Sequence, residues 1–337
     1  MKIARGVLDT VGDTPLIQLD RALEGAPFQL FGKMEGLNPA GSSKDRPARA
    51  VILHALESGA VRPGGVIVES SSGNMGIGMA QACAYHGLQF ICVVDSKTTA
   101  TNLNLLRAYG ARLEYVSEPD PETGELLQAR LNRVQHILQT VPGAYWPNQY
   151  ANPENSGAHY HTTMREIDRV LRGKVDYLFL ATSTCGTLRG CWDYIRDHGL
   201  STHLVAVDAA GSRIFNDPPR KRMIPGLGAG IVPPLFPGQA QIPNFEHVTD
   251  QDCVIGCRRL VQREALLLGG SSGGVFAAVE RWRERIPEGA NCVAVFPDRG
   301  ERYLDTVYND EWVLEHLGDV FDLFGEAVVV REALTAG

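Results

Sequence analysis

The stretch Asn38-Pro39-Ala40-Gly41-Ser42-Ser43-Lys44-Asp45-Arg46 places a lysine between a Pro/Gly/Ser turn and an apolar helical pattern at Ala48, Val51, Ile52 and Leu56. Most lysines are solvated surface charges. Lys44 instead sits at the mouth of a helix. A lysine does covalent chemistry as a neutral amine that condenses with a carbonyl to a Schiff base, so its ammonium must lose its proton near neutral pH. The positive end of a helix and a poorly hydrated pocket both push its pKa in that direction.

Three further turns share one design, in which a strand or helix ends, small residues follow and a helix begins. They are Ser71-Ser72-Gly73-Asn74, Ser183-Thr184-Cys185-Gly186-Thr187 and Gly270-Ser271-Ser272-Gly273. Such turns aim backbone N–H groups and hydroxyls outward, where the helix dipole favours an anion. In a doubly wound sheet they line the crevice at the carboxyl ends of the strands. None has the Gly-x-x-x-x-Gly-Lys-Ser/Thr spacing of a nucleotide phosphate loop, and no Gly-x-Gly-x-x-Gly follows the first strand. A lysine, a phosphate cradle and a hydroxyl for a ring nitrogen together match one cofactor, pyridoxal 5'-phosphate.

The elements that must position these groups read as repeated strand–turn–helix units. Buried strands are expected at 28–33, 66–68, 90–94, 113–116, 177–182, 204–207 and 292–296, with helices between them, which predicts an α/β fold with parallel sheets flanked by helices. A single helix is expected over 154–171 and another from 249 to about 268. Residues 146–153 read as a loop where the chain crosses between domains. The Pro- and Gly-rich segment 211–245 predicts a long, mobile loop.

With 337 residues, 44% of them hydrophobic, the chain can bury a large core in two domains or one elaborated one. A net charge of −7 gives no general basic surface for nucleic acid. No window approaches the ~20 apolar residues of a membrane span, and the N-terminus lacks the apolar run of a signal peptide. Seven cysteines, scattered through apolar runs, read as reduced core residues of a cytoplasmic protein without a metal site.

Asn38-Pro39-x-Gly41-Ser42-x-Lys44-Asp45-Arg46 and Ser72-Gly73-Asn74-x-Gly76 resemble motifs of the fold-type II, pyridoxal-phosphate-dependent β-replacement enzymes, the family of cysteine synthase and cystathionine β-synthase. The resemblance runs on through Asn148-Gln149-Tyr150-x-Asn152-Pro153, Pro225-Gly226-x-Gly228-Ala229-Gly230 and Gly270-Ser271-Ser272-Gly273, in order over nearly the whole chain. It implies two domains, each a twisted, mostly parallel sheet flanked by helices, as in the tryptophan synthase β-subunit. Residues 35–150 would form the N-terminal domain, 1–34 with 151–325 the larger one, and 326–337 a tail. It also implies a homodimer. Lys44 would carry the cofactor as a Schiff base and move the α-proton. Asn74 would bond the cofactor's ring hydroxyl oxygen, Ser183, Thr184, Cys185, Gly186 and Thr187 would cradle its phosphate, and Ser271 would face its pyridine nitrogen. Ser71, Ser72, Asn74 and Gln149 would hold the substrate's α-carboxylate. A serine cannot keep the ring nitrogen protonated, which favours prompt loss of a β-leaving group over a long-lived carbanion.

Two departures bear on the substrate. Ser183 and Cys185 stand where cysteine synthases carry glycines, and Met75 stands where they carry threonine. Both changes would add bulk or a hydroxyl beside the substrate. The altered pattern resembles a narrower branch, the N-(2-amino-2-carboxyethyl)-L-glutamate synthases of siderophore pathways of the staphyloferrin B type. In that branch O-phospho-L-serine loses phosphate to an α-aminoacrylate, and the amine of L-glutamate adds to give a 2,3-diaminopropionate precursor. Ser183 and Tyr150 would reach the phosphate or the nucleophile, and Arg213, Arg220, Lys221 and Arg222 are candidates for glutamate's carboxylates. The rival activity is a cysteine synthase using O-acetylserine or O-phosphoserine with sulfide; a serine or threonine dehydratase and a cofactor-binding sensor without turnover stand behind it.

Overall fold

The computed structural model describes residues 3–320, so the expected tail at 326–337 and the end of the larger unit at 325 lie outside the described residues. The strands are β1 (Leu16–Gln18), β2 (Gln29–Met34), β3 (Val66–Ser70), β4 (Gln89–Asp95), β5 (Arg112–Val116), β6 (Tyr177–Ala181), β7 (His203–Ala209), β8 (Phe245–Val248) and β9 (Asn291–Phe296). They form a six-stranded sheet in the order β1-β2-β9-β6-β7-β8 and a three-stranded sheet in the order β3-β4-β5. All pairings are parallel except β1 against β2.

The helices are α1 (Asp45–Glu57), α2 (Asn74–His86), α3 (Ala100–Ala108), α4 (Leu126–Thr140), α5 (Pro153–Ala158), α6 (Arg165–Leu171), α7 (Gly186–Asp197), α8 (Asp250–Glu264), α9 (Gly270–Trp282) and α10 (Asp310–Leu317). Strands buried on both faces carry continuous apolar runs, as in Phe90-Ile91-Cys92-Val93-Val94 of β4. Phe179, Val205, Phe276 and Phe296 build one core of the larger sheet, against α8 and α9, while Leu178, Leu180 and Leu188 build another on the α7 side. Ile52, Ile67, Met79 and Phe90 join α1 and α2 to the smaller sheet. All seven cysteines are buried free thiols. Among the described residues, no helix is long and apolar enough to cross a membrane.

Three expectations change. The helix expected over 154–171 is interrupted by a π-helical turn, His159–Met164, which turns His159 fully inward. Helix α8 begins at the Thr249–Asp252 capping box as expected but stops at Glu264, because Ala265 adopts a left-handed conformation with φ 56°. The segment 211–245 is pinned rather than loose. Its Ile214, Phe215, Ile224, Leu227 and Ile242 enter the cores, and both carboxylate oxygens of Asp250 accept from the backbone N–H groups of Met223 and Ile224 at 2.9 and 3.1 Å.

Candidate active site

Lys44 is the N-cap residue of α1, and the turn before it is built from its own side chains. Asp45 Oδ2 accepts from the Ala40 N–H at 2.5 Å, Ser42 Oγ accepts from the Lys44 N–H at 3.2 Å, and the Ser43 N–H donates to the Pro297 carbonyl at 2.7 Å. Burial pushes the Lys44 amine below its ordinary pKa, against the opposing charges of Asp298, Cys185 and Glu35. Burial also raises the Asp45 carboxyl, to about 6, against those hydrogen bonds.

Arg46, two residues on, anchors the helix through a buried charge network. Its guanidinium donates to Glu35 at 2.6 and 2.7 Å and to Glu166 at 2.6 and 2.8 Å, and Lys33 Nζ donates to Glu166 at 2.6 Å. Two cations face two carboxylates, so the cluster is neutral, and all four residues are buried. Such a network is stabilising only when every member is paired. It ties α1 to β2 and to α6.

Lys44 and the turn Ser183–Thr187 line one small cavity, together with Ala181, Gly226 and Pro297. The turn leads into α7, whose N-cap is Cys185, and no side chain caps the helix there. The first N–H groups of α7 are therefore available to an anion. Cys185 is held at φ 64°, a left-handed conformation that glycine adopts without cost. Behind the turn, Asn155 Nδ2 donates to Thr184 Oγ1 at 3.3 Å, and His159 Nε2 lies 3.2 Å from Thr187 Oγ1. Burial, with Lys44 and Arg46 nearby, holds the His159 pKa well below its usual value, so the ring is neutral. Ser271, in the first turn of α9, is buried with its Oγ about 4.0 Å from the position a Cβ on Gly226 would take. A buried amine of lowered pKa and an uncapped helix start on one cavity fit an aldehyde that carries a phosphate.

The second turn opens α2. Ser71 Oγ accepts from the Gly76 N–H at 2.9 Å, which leaves the hydroxyl hydrogen free to donate. Asn74 reaches across to the other sheet: its Nδ2 donates to Asp298 Oδ2 at 2.7 Å, and its Oδ1 accepts from Arg302 Nη1. Asp298 also accepts from the Tyr303 hydroxyl. Gln149 packs beside this turn, its Nε2 donating to the Ser70 carbonyl at 2.9 Å. Tyr150 is half-buried next to it, and burial raises its hydroxyl pKa against the charge of Arg130, which pairs with Asp95 at 3.1 Å.

Met75, the second residue of α2, is 3% exposed and belongs to the core cluster of Ala48, Ile52 and Met79 that joins α2 to α1. Among the loop cations, Arg213, Arg220 and Lys221 are exposed, whereas Arg222 is half-buried and lies over the Gly226–Gly230 segment, donating to the Leu227 carbonyl at 3.5 Å. Asp298, Arg302, His159 and the partners of Arg46 escaped the sequence reading. Asp298 and Arg302 follow the last strand, where Gly300 and the end of β9 do signal a turn.

Residues 7–298 match the family described as "Pyridoxal-phosphate dependent enzyme". The chain is 46% identical over 311 residues to an N-(2-amino-2-carboxyethyl)-L-glutamate synthase of Ralstonia nicotianae, covering 92% of this chain and 91% of the relative. It superposes on an O-acetylserine-dependent cystathionine β-synthase from Helicobacter pylori with a TM-score of 0.85 at 29% identity, over 92% of this chain and all of that one. An O-ureido-L-serine synthase gives the same TM-score at 29% identity, over 94% of this chain and 96% of that one. The chain belongs to the pyridoxal-phosphate-dependent enzymes, in the fold-type II group of cysteine-synthase-like enzymes. It is a pyridoxal-phosphate-dependent synthase.

Proposed function

We propose that this synthase carries out β-replacement on O-phospho-L-serine with the amine of L-glutamate as nucleophile, forming N-(2-amino-2-carboxyethyl)-L-glutamate. The observation that carries the reading is the shared cavity of the buried Lys44 amine and the uncapped Ser183–Thr187 turn. The name of the Ralstonia relative supports the choice of substrates.

When bound, pyridoxal phosphate supplies a carbonyl for amines and a ring that draws electron density from the substrate's Cα. Lys44 would hold that carbonyl in the resting enzyme, and its Nζ would take the proton from the substrate's Cα. The amides of α7's first turn with Ser183, Thr184 and Thr187 would hold the cofactor's phosphate, and the Ser271 hydroxyl would face the ring nitrogen. Ser71, Ser72, Asn74 and Gln149 hold the substrate's carboxylate. Phosphate would leave from Cβ with the bonding pair, the glutamate nitrogen would form the new bond to the same carbon and lose a proton, and Lys44 would return a proton to Cα. Ser183 and Tyr150 contact the leaving phosphate or the incoming amine, and Arg222 is the loop cation best placed for a carboxylate. The two sheets serve as the cores of two units, 35–150 and 1–34 with 151–325, in a cytoplasmic homodimer that supplies 2,3-diaminopropionate for siderophore assembly.

Steady-state rates and product masses decide this reading. O-phosphoserine with glutamate should give the adduct faster than O-acetylserine with sulfide gives cysteine. Faster sulfide chemistry would make the protein a cysteine synthase instead.

A further inference from the structure

We propose that Glu69 is a positioning residue that locks the Ser71–Asn74 turn and the Gln149 turn into one register for the substrate's α-carboxylate. Glu69 is fully buried near the end of β3, on the strand that feeds the first turn. Its Oε1 accepts from the Ser70 N–H at 2.8 Å and from Trp146 Nε1 at 3.0 Å, and its Oε2 accepts from the Gln149 N–H at 3.1 Å. Gln149 returns a bond to the same strand through Nε2 and the Ser70 carbonyl. The chain before Gln149 runs along β3, with Tyr145 exchanging backbone bonds with Val66 and Val68 at 2.9 Å. Residues about 80 positions apart in sequence thus converge on one carboxylate.

Among the described residues, no lysine or arginine pairs with this carboxylate. Burial raises its pKa to about 7, and the N–H donors work against burial. A buried acid without a counter-ion is costly to keep, and this one is held by the N–H of Ser70, which leads into the first turn, by the N–H of Gln149 in the second, and by the Trp146 indole. Its geometry suits acceptors only. A glutamine here can keep one carbonyl oxygen toward Ser70 and Trp146, but its NH₂ then meets the Gln149 N–H, donor against donor. The substitution therefore frees Gln149 and leaves Lys44 and the phosphate turn untouched.

The inference rests on reading the Ser71–Asn74 and Gln149 turns as the carboxylate site. It is tested on the cofactor-loaded enzyme with L-alanine, which has no β-leaving group, and with L-alaninamide, which has no carboxylate. Binding is followed by the cofactor's visible absorbance. Losing the Gln149 hydrogen bond should weaken L-alanine binding by Glu69→Gln about tenfold, while L-alaninamide binding and cofactor affinity stay within about twofold of the parent. Trp146→Phe removes an indole donor but leaves the Gln149 bond, so its loss should stay below about threefold. Unchanged L-alanine binding in Glu69→Gln would overturn the proposal. So would an equal loss for acid and amide with reduced cofactor uptake, which marks a purely structural role. If the parent enzyme fails on O-phosphoserine with glutamate, the proposed reaction falls, while the comparison of alanine with its amide still decides the role of Glu69.

Discussion

The phosphate turn and the substrate turn both open a helix, but they are held in different ways. The first is held mainly by close packing of α7 on α5, with the Asn155–Thr184 and His159–Thr187 side-chain contacts behind it. Gly190 of α7 lies so close to α5 that a Cβ there would sit 2.2 Å from the Ser156 carbonyl oxygen, and a Cβ on Gly186 would meet Asn155 at 2.1 Å. The second is fixed by side-chain hydrogen bonds, from Glu69 to Ser70 and Gln149 and from Asn74 across to Asp298. Backbone contacts between helices leave little room for change, whereas hydrogen-bonded turns can be retuned one side chain at a time. On the proposed assignment of the two turns, the cofactor end of the site would be built for retention and the substrate end for selection. Lys44 stands between them, on a helix whose Arg46 is set in a neutral buried network.

Removing a part of the rigid side should cost most. Arg46→Met leaves Glu35 and Glu166 with Lys33 as their one buried cation, a loss of about 3–5 kcal/mol. Chemical denaturation checks this, and an unchanged midpoint would show that the network contributes nothing. By contrast, Arg169→Ala removes an ion pair to Asp13 that is open to water on both sides, and it should leave the midpoint where it is.

Gly190→Ala forces α7 away from α5, with an overpacking cost of about 1–3 kcal/mol. It should weaken cofactor retention before it weakens discrimination between the amino acid and its amide. The reverse order would contradict the division between the two turns.

The lowered pKa of Lys44 sets a pH dependence. The neutral amine is the form that takes a carbonyl, and burial makes it available at lower pH. The rate of pyridoxal phosphate uptake by the apoprotein should therefore rise with pH and level off below 10.5, the ordinary lysine value. In the folded apoprotein the charged amine is penalised, so this group's contribution to stability improves as pH rises from the folded value toward 10.5. Uptake still climbing beyond 10.5 would rule out a buried amine.

Cys185→Gly should change little. It relieves a left-handed backbone at about 1 kcal/mol and loses the packing of a buried thiol of similar worth, so the denaturation midpoint should hardly move. With Ser183→Gly added, the ratio of sulfide to glutamate turnover should rise. A fall in that ratio would separate these residues from nucleophile choice.

The sequence made Lys44 and the three small-residue turns legible because each lies where a strand or loop hands over to a helix, a local signal. The parallel sheets followed from apolar runs such as those of β4 and β7. The supports were not legible. Lys33, Glu35, Arg46 and Glu166 are spread over more than a hundred positions, and each reads as an ordinary surface charge until the fold brings them together. Glu69 hides in the same way, one acid at the end of an apolar strand. Segment 211–245 looked loose because its apolar residues follow neither helical nor strand periodicity, yet Ile214, Phe215 and Leu227 are core residues held by turns and by Asp250. Met75 shows in sequence only as a neighbour of Asn74, and its place in the core shared by α1 and α2 comes from the fold.

The central claim is that Lys44 bonds to the cofactor's carbonyl in the resting enzyme. Borohydride reduction of the loaded enzyme, followed by digestion and mass analysis, tests it directly. The pyridoxyl-phosphate mass should appear on the peptide containing Lys44 and vanish in Lys44→Ala. A label on Lys33 or any other lysine, or no label at all, would contradict it.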